Sequence, residues 1–497
     1  MTVRHTITLV VLLWALVVSA CSAGSTATQV GRVAGQGTLV LGTTGVPASL
    51  DFTTTGGAAI PQALMSNVYE GLVRIDAAGD VVPHLATSWD VTEEATVYTF
   101  HLREGVTFSD GSPFNAESAK FSIEYVQESW TNGLKAQMDV VSGVEVLDEH
   151  TLRVTLSRPS HHWLWSMGTL TGAMMTPTGV DRLATTPVGT GPYLLGRFAV
   201  GESISFTRNP DYWGEPAKEN AAIRYFADAT SAVNALRSGD IDLVWAMQAP
   251  ELLDTLPEEY NVEVGTTNGE VLISMNNRRA PFDDPDVRRA VLHAVDREAV
   301  NQVVWEGLAT DTGAAPVPPT DPWFTGEDFA PYDPDRAREL LDGRTPAITI
   351  SLPSLPYAQN ISELLYSQLR DVGFEVTLET VEFPAVWLAE VMTSKNYDMS
   401  IIAHVEARDI PALFGNPDYY LGYDNESVRA DLLAADTAVT VEEQVDHMKA
   451  AVATIMSDAG ALTVFNLPNI VVTSPGVTGV TPTVVTDALA LAGMEKQ

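Results

Sequence analysis

The order of elements written into this 497-residue chain predicts a mixed α/β fold. Three stretches carry that expectation. "AITISLP", "YAQNISELLYSQLRDVG" and "FEVTLETV" read strand, helix, strand across 347–381, a βαβ unit that implies parallel pairing. "TVYTFHLREGVTFSDGSPFNAESAKFSIEYVQE" reads strand, turn, helix, and "TSAVNALRSGDIDLVWAM" reads helix then strand.

Near the start, the basic Arg4 precedes an apolar run from Ile7 to Val18, followed by Ser19, Ala20 and Cys21. This is the pattern of a secretory signal, and the run is shorter than the roughly 20 residues of a spanning helix. Cys21 is the one cysteine of the chain, so it can complete neither an internal disulfide nor a thiolate metal site. Val18-Ser19-Ala20-Cys21 resembles the bacterial lipobox, which implies a lipoprotein signal peptide over 1–21 and lipid attachment at Cys21. An ordinary signal peptide with a cysteine beside its cleavage site is the alternative. Residues 22–37 hold few large apolar side chains and read as a flexible tether spanning on the order of 20 Å.

The rest of the chain is too long for one compact core and suits two or three domains. The 64 acidic and 28 basic residues of the whole chain give a formal charge of −36, which repels nucleic acid phosphates and anionic headgroups. The acids are scattered without a long run, so they read as a solvated surface.

Val97, Thr99, His101 and Arg103 alternate along a strand that closes at the Asp110-Gly111 turn. Asn115 then caps a helix carrying Ala119, Ile123 and Val126 on one face. Further on, Gly239 ends a helix and a strand follows from Ile241 to Trp245. Asp284-Pro285 and Asp333-Pro334 each open a helix with a cap and a first-turn proline, the second ending at Gly343.

The wording of these motifs resembles the family 5 extracellular solute-binding proteins, the peptide, dipeptide and nickel receptors of ABC importers. "VVPHLATSWDVTEEATVYTFHLREGVTFSDGSPFNAESAKFS", "GTGPYLLGRFAVGESISFTRNPDYWG", "ALRSGDIDLV", "NNRRAPFDDPDVRRAVLHAVDREAV", "YDPDRARELL" and "YDMSII" follow in the family's order, over most of Leu39 to Asp436. The resemblance implies a two-lobed periplasmic-binding-protein fold (type II, cluster C) with a β-rich subdomain inserted in lobe one. Lobe one is then expected at 38–58, 186–269 and 466–497, the inserted subdomain at 59–185 and lobe two at 270–465, with two crossovers as the hinge.

The resemblance puts the solute site after "YDMSII", in "AHVEARDIPALFGNPDYYLGYDNES", where peptide receptors commonly hold an α-ammonium with an Asp. Asp409 occupies that position, and a desolvated ammonium needs such a partner. A turn-capping role before a helix is its alternative. Arg408 either pairs a ligand carboxylate or neutralises Glu406 and Asp409. Tyr419, Tyr420 and Tyr423 crowd the same loop, and Trp245 and Trp387 are aromatic candidates from elsewhere. His404 is a lone imidazole, too little for a metal site, and none is expected. Arg103, Asp110, Gly111, Tyr212 and Trp213 read as architectural, as do His161 and His162, whose side chains would point apart in a strand.

No GxSxG elbow, P-loop, HExxH or GxGxxG occurs, so neither catalysis nor a cofactor is expected and a surface hydrolase is disfavoured. The expectation is a monomeric, extracytoplasmic, lipid-anchored receptor that captures a di- or oligopeptide and passes it to an ABC permease driven by a separate ATPase. A receptor for nickel, a metal chelate or another non-peptide solute is the alternative within the family, and a receptor that signals to a sensor protein is a further one.

Overall fold

The structure, a computed structural model, describes residues 37–497. The signal segment, Cys21 and all of the tether but Gly37 lie outside the described residues. The chain enters through β1 (Thr38–Thr43), every residue of which is buried. After the short α1 (Ala59–Leu64) and the hairpin β2 (Val73–Ile75) and β3 (Val81–Pro83) comes an antiparallel four-stranded sheet. It consists of β4 (Ala86–Val91), β5 (Val97–Leu102), β6 (Val141–Asp148) and β7 (Thr151–Leu156), in the order β4-β5-β7-β6. β5 alternates as expected, with Tyr98, Phe100 and Leu102 buried.

Between β5 and β6 runs α2 (Ala116–Ser129). Asn115 Oδ1 accepts from the amides of Glu117 and Ser118, and Ser118 Oγ accepts from the Asn115 amide, a reciprocal cap. His161 and His162 do not lie in a strand. They open α3 (His161–Ser166), because Ser160 accepts from the Trp163 amide and so starts a helix there.

β8 (Tyr193–Ala199), β9 (Ser203–Arg208) and β10 (Asn220–Tyr225) form an antiparallel run, and β10 pairs in parallel with β1. α4 (Ala229–Arg237) then leads to β11 (Leu243–Val244), shorter than the strand expected from Ile241 to Trp245. The ladder stops because the chain turns away: Ala246 adopts the left-handed φ of 55°.

The long β12 (Asn261–Met275) carries the chain into the second half. There α5 (Pro285–Ala294), α6 (Arg297–Trp305) and α7 (Pro334–Leu341) start at Asp284, Asp296 and Asp333, each accepting a first-turn amide. The βαβ unit follows as β13 (Ala347–Pro353), α8 (Pro356–Val372) and β14 (Glu375–Val381), with the two strands parallel in register. β15 (Met399–His404), α9 (Ile410–Phe414), α10 (Glu426–Thr437) and α11 (Val441–Ser457) precede β16 (Leu462–Thr473), and a two-residue pair, β17 (Val477–Thr478) with β18 (Glu495–Lys496), closes the chain.

One sheet of ten strands, ordered β14-β13-β15-β12-β16-β11-β1-β10-β9-β8, runs through both halves. Two hydrophobic cores lie against it, and β1 divides its side chains between them, Leu39 and Leu41 to one and Val40 to the other. The cores meet across β1, β10, β11 and β16, each of which sends buried side chains to both, and β16 pairs with β12 along most of its length except for a register shift between Thr266 and Glu270. Fully buried Asn466 ties that irregularity together, its Nδ2 donating to the carbonyls of Thr267 at 2.9 Å and Gly269 at 3.0 Å. The boundaries expected at 269/270 and 465/466 fall inside these two strands.

The signature residues near the first core are tied into one another. Buried Glu70 accepts hydrogen bonds from Tyr212 Oη at 2.8 Å, Trp213 Nε1 at 2.9 Å and Thr190 Oγ1 at 2.8 Å. Arg103 lies over the Trp213 ring, 4.3 Å from its centre.

Candidate functional site

Between the two cores lies a cavity of about 590 Å³, in the size range of small-molecule sites. One wall comes from the start of α1, the Asn132–Gln137 turn and the Trp165–Leu170 stretch. The other comes from Phe383–Met392, from β15 and the loop after it, and from Tyr419. The stretch Thr486–Ala488 closes one side.

β15 positions the centre of the second wall. Its apolar residues Met399, Ile401 and Ile402 anchor it in the sheet, and the strand ends at His404 inside the cavity. His404 Nε2 is 2.9 Å from Tyr420 Oη and the two rings stack, so with Tyr420 donating, the imidazole proton sits on Nδ1. Burial holds His404 neutral, its pKa pushed down to about 4. Nδ1 lies 3.7 Å from Asp409 Oδ2.

Asp409 stands at the start of α9 but makes no side-chain cap bond. Its Oδ2 is buried without a hydrogen-bond partner, and burial, then Glu406 and Asp321, push its pKa well up. Across the antiparallel β12–β15 ladder, Glu270 faces His404; it is 1% exposed and neither carboxylate oxygen has a partner. Burial raises Glu270 well above the carboxylate range, with Asp409 and Asp321 adding to it. Asp487, on the C-terminal stretch, also lines the cavity, and burial raises it to about 7.

Arg408 does not neutralise Glu406 and Asp409. Its left-handed backbone, φ 57°, swings the side chain away from the cavity, where its Nε lies 3.6 Å from Asp321 Oδ1. The guanidinium is held between Trp165, at 4.7 Å, and Trp323, at 5.1 Å, and Nη2 donates to the Gly79 carbonyl at 3.2 Å. It thereby joins the two walls.

Trp387 lines the cavity, its Nε1 donating to Ser400 Oγ at 3.0 Å, and Tyr419 lines it beside Asp409. Tyr420 is buried behind His404, and Tyr423 is buried with its Oη donating to Asp458. Trp245 is buried in the first core and does not line the cavity. Trp165, Glu270, Asp321 and Asp487 belong to the site or its backing and were not singled out from sequence. Glu270 did carry a signal, an isolated acid at the head of the apolar run "VLISM". The other three lie far along the chain from "AHVEARD" and gave none.

His404, Glu406 and Asp409 offer ligand atoms that all lie within 4.8 Å of one another. An imidazole and two carboxylates at that spacing suit a divalent transition metal with open positions, although the sequence reading expected no metal.

Residues 80–422 match the model of the bacterial extracellular solute-binding proteins, family 5 middle region. A Brucella ovis protein described as a peptide-binding protein of an ABC transporter is 28% identical over 338 residues, 62% of each chain. Glutathione-binding protein GsiB of Escherichia coli is 28% identical over 338 residues, 65% of each chain, and heme-binding protein A of Haemophilus influenzae 30% over 312, 56% of each. The matched region thus spans less than two thirds of these relatives' length. Among solved structures, periplasmic binding protein DppA of Helicobacter pylori, in complex with peptide STSA, superposes with a TM-score of 0.77 at 24% identity, covering 93% of this chain and 98% of that one. NikA of Brucella suis, in complex with Fe(III)-EDTA, gives 0.82 at 23%, covering 92% and 100%. At that identity the likeness speaks for the fold, the two-lobed architecture of periplasmic binding proteins.

Proposed function

The chain belongs to the bacterial extracellular solute-binding proteins of family 5, and from that premise we propose that it captures a small solute, in the first place a di- or oligopeptide, and hands it to an ABC permease. As a solute-binding protein it is a receptor and not an enzyme, and it works outside the cytoplasm. The observation that carries the reading is the cavity between the two cores, walled by Trp165, Phe383, Trp387 and Tyr419 and holding the carboxyl of Asp409, whose Oδ2 has no hydrogen-bond partner. Asp409 would fix a charged end of the solute while the aromatic walls accept its apolar groups. The two walls would part at the β12–β16 crossover, so that a bound solute favours the closed form. Lobe one is assigned to 38–58, 186–269 and 466–497, its inserted subdomain to 59–185 and lobe two to 270–465. The protein acts as a monomer, tethered to the membrane by a lipid on Cys21, as the Val18-Ser19-Ala20-Cys21 wording suggests.

A second reading, a receptor for nickel or a metal chelate, draws support from the convergence of His404, Glu406 and Asp409. Native mass spectrometry before and after denaturation, followed by thermal-shift titration with dipeptides, longer peptides and nickel chelates, separates the two. Stabilisation by peptides supports the first reading, and stabilisation by the chelate alone supports the second. A chain that carries no solute and responds to none of them counts against both.

A further inference from the structure

We infer that the cavity is built for a net-cationic solute with an apolar body and no free carboxylate. The inference rests on the reading of this cavity as the solute site and moves its chemistry from free di- and oligopeptides, which end in a carboxylate, to amidated peptides and other amines of that kind. Three acids line it, Glu406, Asp409 and Asp487, and no Lys or Arg does among the described residues. The histidine of the lining, His404, has its Nε2 engaged by Tyr420 Oη.

A second layer adds buried carboxyls, which an arriving cation would draw toward their charged form. Glu270 and His404 stand directly opposite on β12 and β15, so their side chains leave the same face of the sheet. Glu270 therefore points toward the cavity from beneath, 1% exposed and with both oxygens unpartnered. Asp321 is likewise buried, with Oδ2 unpartnered. Buried acceptors without donors are costly, and a cationic group in the cavity relieves that cost.

The nearest arginine cannot serve a ligand carboxylate. Arg408 is committed to Asp321, to the Gly79 carbonyl and to the faces of Trp165 and Trp323. A carboxylate brought into this cavity would be desolvated among carboxyls with no side-chain cation to pair with. Much of the remaining lining is apolar, with Leu170, Phe383, Trp387, Leu388 and Met392 around the acids, and its other polar side chains, Asn132, Gln137, Thr169, Tyr419 and Thr486, are uncharged. Aromatic faces also favour an ammonium group.

Three forms of one dipeptide test this by calorimetric titration into the full chain freed of co-purifying solute, with EDTA present. Leu-Phe amide is a cation, Leu-Phe a zwitterion and N-acetyl-Leu-Phe an anion. The expected result is binding of the amide at least tenfold tighter than the zwitterion, with no binding of the anion. The preference should disappear in Asp409→Asn and shrink in Glu406→Gln, an exposed rim position that serves if the first variant does not fold. A zwitterion that binds as well as the amide overturns the inference and leaves the solute-binding reading standing; backbone amides such as those of Gly56 and Gly57 would then hold the carboxylate. If none of the three binds, the molecule released from the purified chain on denaturation decides. An amine without a carboxylate supports the inference, an acid or a neutral solute overturns it, and no molecule at all counts against the solute site itself.

Discussion

His404 Nδ1 and Asp409 Oδ2 stand 3.7 Å apart, an ion-pair distance at which burial keeps the imidazole neutral and pushes the carboxyl toward its neutral form. The site holds its charges in reserve. Arrival of a cation favours the ionised form of Asp409, because an opposite charge within a few ångströms lowers a carboxyl's pKa. Asp409→Asn keeps the size and removes that response. Since a hydrogen bond to a charged group contributes about 1.5–3 kcal/mol, affinity for a cationic solute should fall roughly ten- to a hundredfold. Titration calorimetry reads this directly, and an unchanged affinity would remove Asp409 from the site.

Stability of the unliganded chain should fall as pH rises. Burial lifts both Asp321 and Asp487 to about 7, the first despite Arg408 beside it and the second with Glu406 adding to the lift. A carboxyl whose folded pKa exceeds its unfolded one contributes stability in full below about pH 4 and loses it as pH passes through 7. Glu270 and Asp409, also raised, act in the same direction, while His404, lowered to about 4, works against them below about pH 6.5. Melting temperature is expected to drop by a few degrees between pH 5 and pH 8, and Asp487→Asn should flatten part of that slope. A flat profile in the wild type would contradict the burial argument.

On the proposed opening of the two halves, the contacts that bridge them outside the cavity are lost. Asp436, at the end of α10, accepts from Ser160 Oγ at 2.8 Å and the His162 amide at 3.0 Å, and pairs with Arg158. His161 Nε2 adds a bond to the Ala438 carbonyl at 3.0 Å. Asp436→Ala should weaken solute binding about tenfold, or ~1.4 kcal/mol, by tilting the balance toward the open form. Small-angle scattering should record a larger radius of gyration, while the melting temperature without solute changes little.

Glu70 sits in the first core, remote from this balance. Removing its carboxylate leaves Tyr212, Trp213 and Thr190 donors unpaired, at about 1 kcal/mol each. Glu70→Ala is expected to lower stability by about 3 kcal/mol, visible as a reduced urea midpoint. Solute affinity per folded molecule should stay the same.

Local rules made much of the architecture legible. Asn115, Asp284 and Asp333 cap helices as their side chains dictate, and the β13–α8–β14 unit follows from periodicity and Gly373 alone. Positions set by distant packing were harder to read. Arg408 turns away from its neighbours in sequence because Trp165, Trp323 and Asp321 offer it a better place. His161 and His162 suggested a strand by adjacency, and the cap at Ser160 made a helix instead. Asp409 could be named as a candidate because a motif before it marks the loop. Asp487 could not, since only the return of the C-terminal stretch over the cavity brings it there.

The pairing of β12 with β16 fixes how the molecule comes apart. β12 ties β16 to β15, and β16 in turn pairs with β11 while sending Val471 into the first core and Val472 into the second, so neither core can melt without stripping the other of part of its ladder. Scanning calorimetry should accordingly show one endotherm, not two. A protease that nicks a surface loop should release no stable half, because each half ends on a strand edge that only the other half covers.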